Sequence, residues 1–366
     1  MDIKDKFDKV KDDILIGEIT KTRNTLSTDR LDMSYGELMN LYKRGDLIIS
    51  PNFQRLFRWD NTRKTRFIES ILLGIPIPPI FVAEDDDGKW ELVDGLQRIS
   101  TILSFFGDLE SIPDKNYWTL ESGSLIPSLE DYNIKTLPRK YIRNIERTYC
   151  RVEIIKWDSD YDMRYELFNR LNTGGESLTP QEIRNCIFRG KTNKFNDMLK
   201  NLANKEEFLR IIELSNSQIE RLYNEELVLR FVSLFKGNLT SKNSKNMSMY
   251  MTEYMKEVVN TEDYDYKNIE SIFDRILIVL KQTDSNDYKF SNHQFSTSLF
   301  DAIFVGVAEN IEMYEGDKDG TLLRYNIAKL KNDNFFRKYT GSAASSKSRV
   351  VNRMKEAKRV MANDSI

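Results

Sequence analysis

The sequence predicts an α+β N-terminal domain with a small mixed sheet, followed by an all-helical C-terminal domain. Three observations carry this. The chain has 366 residues, more than one ordinary core absorbs, so two domains of about 150 to 200 residues are expected. Its strand-like runs, among them Ile80-Phe81-Val82, Trp90-Glu91-Leu92-Val93 and Arg151 to Trp157, all lie before residue 190. Beyond about Arg189 only amphipathic helical spacing remains, near 195–213, 217–236, 247–260, 267–282, 296–313 and 320–331.

Residues 1–30 are polar and mixed in charge and read as a loosely held arm or a capping helix. A mixed domain over 31–190 follows, then a helical domain over 191–366. Ser34 to Arg44 reads as a short helix, and Leu47 to Ser50 as a brief strand. Thr62 to Leu73 places Phe67, Ile68, Ile71 and Leu72 at helical spacing, with Gly74 as a C-terminal cap and Pro76 just beyond. Asp85-Asp86-Asp87-Gly88 separates two strand-like runs as a hairpin turn would. After Asp94-Gly95, the residues Ile99, Ile102, Leu103 and Phe106 resume helical spacing. Gly107 to Arg143 holds Pro113, Pro127 and Pro138 without a sustained period and reads as an irregular excursion. Asp162 to Leu171 is helical, and Thr179-Pro180-Gln181-Glu182 opens another helix with N-cap, first-turn proline and capping-box glutamate in order. Ser215-Asn216-Ser217-Gln218 offers a second capping box.

Composition removes several function classes. With 40% hydrophobic, 31% charged and 11% aromatic residues the chain is globular rather than disordered. The longest apolar stretch, Ile71 to Val82, is interrupted by Pro76, Pro78 and Pro79 and is too short to span a bilayer. No secretory signal is read in the opening MDIKDKFDKVKDD, and the two cysteines, Cys150 and Cys186, form neither a disulfide framework nor a metal knuckle. A cytoplasmic protein is expected. The single histidine, His293, leaves too few imidazoles for zinc hydrolases, Ser-His-Asp hydrolases or His-Asn-His nucleases. Chemistry must therefore run on carboxylates, amides, hydroxyls and guanidinium groups. Net charge is -2, yet Phe335 to Met361 carries eight Lys/Arg against the one acid Glu356. That local basic surface, with Lys355, Lys358 and Arg359, is a candidate contact for DNA phosphates.

Three constellations could carry chemistry. The first is the strand-turn-helix around Asp94-Gly95-Leu96-Gln97-Arg98. First-turn amides and the helix dipole form an anion site, and Gly95 admits close approach of a ligand. Gln97 and Arg98 suit a phosphate, Ser100 and Thr101 add hydroxyls, and Asp94 could hold Mg²⁺ or orient water. Asp94, Gln97 and Arg98 are thus the catalytic candidates. The alternative makes Asp94 an N-cap, Gln97 its capping-box partner and Arg98 a solvated side chain. The second constellation is Phe53-Gln54-Arg55 with Arg58-Trp59, in which Gln54 and Arg55 clamp phosphates and aromatic rings stack on a base, or which is an ordinary packed surface loop. The third is Phe168-Asn169-Arg170-Leu171-Asn172-Thr173-Gly174-Gly175, running on to Arg184. Here Arg170, Asn172, Thr173 and the amides of Gly174 and Gly175 come near a helix start, while capping accounts for Glu182.

Taken together, these runs resemble the N-terminal domains of the GmrSD-type restriction family, domain of unknown function 262, with a ParB/sulfiredoxin-like fold. The resemblance rests on Pro51-Asn52-Phe53-Gln54-Arg55 with Trp59, on Ile68-Glu69-Ser70-Ile71-Leu72-Leu73-Gly74-Ile75-Pro76-Ile77-Pro78-Pro79, and on Val93-Asp94-Gly95-Leu96-Gln97-Arg98-Ile99-Ser100-Thr101. It continues through Phe168 to Gly175 and Leu178-Thr179-Pro180-Gln181-Glu182-Ile183-Arg184-Asn185. The family's usual D-G-Q-Q-R is D-G-L-Q-R here, so Leu96 replaces an amide. The resemblance implies nucleoside triphosphate binding with Mg²⁺, and hydrolysis that drives a partnered nuclease against modified or foreign DNA. A sulfiredoxin reaction is not implied, because no cysteine lies between Asp94 and Thr101. Many relatives append a His-Asn-His nuclease that this chain lacks, so cutting would come from the N-terminal domain itself or from a separate nuclease chain. Expected partners are a nucleotide, DNA, such a nuclease and a second copy of the chain, with no membrane. A ParB-like nuclease and a non-enzymatic DNA-binding module remain the alternatives.

Overall fold

The computed structural model describes residues 3–49, 59–85, 87–156, 159, 161–171, 178–188, 193–242, 244–290, 294–341 and 343–362. The chain divides into two compact units, Met1–Ser177 and Leu178–Ile366. The first combines helices with a five-stranded mixed sheet, and the second is helical throughout its described residues apart from isolated bridges, which is the expected fold class.

In the first unit the element order is α1 (Ile3–Arg23), β1 (Thr28–Ser34), α2 (Tyr35–Arg44), β2 (Leu47–Ile48), α3 (Asn61–Leu73), β3 (Ile80–Glu84), β4 (Trp90–Asp94), α4 (Leu96–Phe106), α5 (Arg139–Arg147), β5 (Tyr149–Ile155) and α6 (Tyr161–Leu171). The sheet runs β1-β5-β3-β4-β2, with β1/β5 and β3/β4 antiparallel and β5/β3 and β4/β2 parallel. Its apolar side chains Ile80, Val82, Val152 and Ile154 join one core with Tyr35 and Leu38 of α2, Ile68 and Ile71 of α3, and Ile99, Ile102 and Leu103 of α4. Helix α2 forms where read: Ser34 accepts from the Glu37 amide at its start, and Gly45 closes it in the left-handed conformation. Asp60 and Gly74 frame α3 in the same way.

Three expectations change. Of the two readings of residues 1–30 the helix is the one found, α1, but the segment also opens an unexpected strand, β1, that runs on to Ser34. Asp29, Arg30 and Asp32 hide any apolar alternation in β1, which is held by a seven-residue ladder to β5 rather than by a buried face. The excursion from Gly107 to Arg143 ends in α5, a nine-residue helix that starts directly after Pro138 and sets Ile142 and Ile145 on one side, a spacing too short to stand out beside the proline-broken stretch before it. Finally, β5 begins at Tyr149, two residues before the expected strand.

The second unit comprises α7 (Pro180–Ile187), α8 (Lys194–Ala203), α9 (Glu206–Ile212), α10 (Asn216–Glu220), α11 (Tyr223–Lys236), α12 (Met247–Val259), α13 (Tyr266–Leu280), α14 (Thr297–Glu309), α15 (Ile311–Gly316), α16 (Thr321–Asn332), α17 (Asn334–Lys338) and α18 (Lys347–Met361). Segments read as single helices near 195–213, 217–236 and 296–313 are each two helices. The second break falls at Leu222, whose φ of 57° no α-helix continues. Helix α14 is buried from Ser298 to Ala308, and Phe300 and Phe304 pack within an aromatic cluster with Phe208, Phe231 and Phe273. At the centre of this unit the fully buried Asp301 accepts two bonds from Arg230, 2.8 and 2.6 Å, and one from Arg353, 3.1 Å. Burial opposes the charge on both guanidinium groups; pairing with Asp301 outweighs it for Arg230, whose pKa is raised, but not for Arg353, whose pKa is lowered.

Candidate functional site

The first constellation is a formed turn. Strand β4 ends at Asp94, and α4 starts from Gly95, which adopts φ 100° and ψ 10°. Only glycine fits: a side chain would place its Cβ 2.4 Å from Ile80 Cγ2, and left-handed backbone penalises any other residue. Gly95, rather than Asp94, is the N-cap, and as a glycine it brings no capping side chain of its own. Asp94 instead reaches along α4 to Arg98, Oδ2 to Nη2 2.9 Å. Arg98 is not solvated; its side chain is 12% exposed against 45% for Asp94. A second guanidinium nitrogen donates to the carbonyls of Pro78 and Pro79, at 3.2 Å for the latter. Arg98 therefore ties the end of the Ile75–Pro79 run to the turn, a role for those prolines that the sequence did not disclose.

Gln97 accepts from the Trp59 amide at 3.2 Å, which fixes the described end of the stretch that carries Gln54 and Arg55. Gln54 and Arg55 themselves lie outside the described residues, as do Asn172, Thr173, Gly174, Gly175 and His293. Ser100 and Thr101 are buried and donate to carbonyls of their own helix, Leu96 at 2.7 Å and Gln97 at 2.6 Å. Behind Arg98, burial pushes the Tyr35 phenol and the Cys150 thiol above their ordinary ranges, so both stay protonated at neutral pH. Cys150 is thus packing rather than a nucleophile.

Among the described residues no group of three or more His, Cys, Asp or Glu could hold a metal ion. A single carboxylate such as Asp94 still suits Mg²⁺, which keeps several waters and takes the remaining ligands from phosphate oxygens.

A neighbouring carboxylate went unread in the sequence. Glu69 is buried on α3, and its Oε1 accepts from the amides of Leu125 and Ile126, both at 2.7 Å. That grip fixes the proline-containing excursion, and Gly123 is required beside it because a Cβ would meet Oε1 at 2.4 Å. The signal was present: Glu69 is a lone acid between Ile68 and Ile71 on an apolar helix face.

Residues 35–189 match the GmrSD restriction endonuclease, N-terminal domain. This segment is a GmrSD-type N-terminal domain. Comparison with curated proteins and with solved structures finds no match. The GmrSD-type segment passes beyond Ser177, so α7, in the second compact unit, carries its last motif. There Thr179 and Glu182 form the expected capping box: the Thr179 amide donates to Glu182 Oε2, 2.7 Å, and the Glu182 amide to Thr179 Oγ1, 3.3 Å. Arg184 is completely buried and donates to Glu226 at 2.9 Å, Gln181 at 3.0 Å and Ser248 at 3.2 Å. In the first unit Arg170 is exposed beside Glu166, 2.9 Å away.

The basic C-terminal stretch folds largely into α18. Arg353 is in the core, Arg349 donates to the Lys338 and Thr340 carbonyls, and Lys347 to those of Thr240 and Lys242. Lys358 pairs with Glu309, and Arg359 with Glu356 and Asp333. Lys355 is exposed. Among the described residues no helix is long and apolar enough to cross a membrane.

Proposed function

We propose that the α4 turn binds the phosphates of a nucleoside triphosphate with Mg²⁺, and that the GmrSD-type domain is an NTPase switch in DNA-directed defence. The observation that carries this reading is the start of α4: a glycine entry whose N-cap brings no side chain of its own, a helix N-terminus, and a half-exposed carboxylate at the same bend. Phosphoryl transfer asks mainly for positioned charge, which suits a chain with one histidine. Asp94 would hold the Mg²⁺ ion, and Arg98, whose guanidinium reaches the same carboxylate, would meet the phosphates that the metal bridges. Gln97 holds the approach at Trp59.

Calorimetry of the full chain against ATP, GTP, CTP and UTP, each with Mg²⁺, tests the reading, with phosphate release measured with and without DNA. One nucleotide should bind in the micromolar range, about -8 kcal/mol, and Asp94→Asn should remove the Mg²⁺ dependence. Absence of binding to all four sinks it. The family's description as a restriction endonuclease favours a second reading, a nuclease using the same residues. Nicking of plasmid with Mg²⁺ and no nucleotide would support that one. A non-enzymatic DNA-binding surface on α18 would instead lose affinity on charge reversal of Lys355, Lys358 and Arg359, with a steep salt dependence.

A further inference from the structure

We infer that β1 is a self-complementary edge through which two copies of this chain join their sheets about a twofold axis. Strand β1 is terminal in the sheet order, and its ladder to β5 runs through all seven residues without a register shift. It contains no proline and no lysine, and the charges it carries, Asp29, Arg30 and Asp32, are of both signs, so they oppose self-pairing in some registers and favour it in others. Main-chain bonds from Lys156 to the Ser27 carbonyl, 3.0 Å, and from Tyr35 to the Thr148 carbonyl, 3.1 Å, fix the phase of the ladder. Residues 27, 29, 31, 33 and 35 face β5, so Thr28, Arg30, Asp32 and Ser34 turn their N–H and C=O groups to the open side.

That parity restricts how a second copy can pair. An antiparallel partner must match outward residues with outward residues, so the axis passes through a residue, and only axes at Arg30, Leu31 or Asp32 pair more than half of the strand. An axis at Arg30 opposes two arginines, and one at Asp32 opposes two aspartates. An axis at Leu31 sets Arg30 against Asp32 of the second copy twice, pairs Thr28 with Ser34, and uses the whole strand. The charges already alternate across β1 and β5: Arg30 binds Glu153 at 2.9 Å and Arg151 binds Asp32 at 3.3 Å. A twofold at Leu31 continues this alternation across the junction, giving Glu153, Arg30, Asp32 and Arg151 in one row. On the opposite side of the sheet it sets Leu31, 43% exposed, against its own copy. Formation of the pair exchanges one local bond, from the Arg30 amide to the Asp29 carboxylate at 2.8 Å, which is exposed. Helix α1, directly before β1, keeps Ile14, Leu15, Ile16 and Ile19 more than half exposed, further apolar surface next in sequence to this edge. The interface is isologous and closes at two copies.

Sedimentation equilibrium of the full chain tests this. The natural sequence should be dimeric, and R30E or D32K, each with unchanged circular dichroism, should weaken the dimer at least about tenfold by opposing like charges. Mixing the two variants should restore it, because the introduced glutamate of one then meets the introduced lysine of the other, while the retained Asp32 and Arg30 meet in the second row. A monomeric natural sequence, a dimer that survives in both variants, or a mixture that stays monomeric would each overturn the inference.

Discussion

Two arginine–carboxylate arrangements in this chain have the same chemistry and opposite consequences. Asp94 and Arg98 meet at the rim of the first unit, with nearly half of the carboxylate side chain open to solvent and the guanidinium shared with two carbonyls. Asp301 meets Arg230 and Arg353 in the interior of the second unit, with all three side chains closed to water. Where the carboxylate is open to water and the guanidinium keeps two carbonyl partners, the pair is exchanged at modest cost, whereas in a core each ion is stranded if its partner goes. An exchangeable pair can serve a ligand, and a closed one can only hold the fold.

The contrast is broken most severely at Asp301. D301N should cost about 3–5 kcal/mol of stability in urea unfolding, since two buried guanidinium groups lose their shared anion. A loss below about 1 kcal/mol would mean that water reaches the site. Next comes G95A, which adds a left-handed backbone strain to a clash with Ile80 and should cost about 3 kcal/mol; unchanged stability would show that the bend is not held as described. E69Q keeps the size of the side chain but removes its charge, for about 2 kcal/mol, and hydrogen exchange should quicken at the Leu125 and Ile126 amides. Smallest is D94N, expected to change stability by less than about 1 kcal/mol. If D94N matched D301N, the rim pair would be a structural clamp and its proposed hold on Mg²⁺ would fail.

What could be read from the sequence was the part governed by local chemistry. The caps Gly74, Thr179 and Ser215 and the Asp85–Gly88 turn act within a few residues, and so they are visible as spacing. Strand β1 was missed because its stability comes from a partner more than a hundred residues away. At the site, the Gly95 bend was legible, since strand, glycine and helix are consecutive. The targets of Arg98 were not: the Pro78 and Pro79 carbonyls look identical to any others until the chain is folded. Glu69 was passed over for a related reason. A carboxylate in an apolar face reads as an exception until the amides it serves, over fifty residues on, come into place.

Helix α7 has a practical consequence for anyone cutting this protein into parts. Its sequence belongs to the GmrSD-type segment, yet Arg184 and Asn185 spend their side chains on Glu226 and Glu225 of α11. A fragment stopped at residue 189 keeps the last motif but removes Glu226 and Ser248, to which the buried guanidinium donates. One stopped at 177 spares that arginine by discarding the motif altogether. Neither cut releases an intact piece, and expression of the whole polypeptide is the safer starting point.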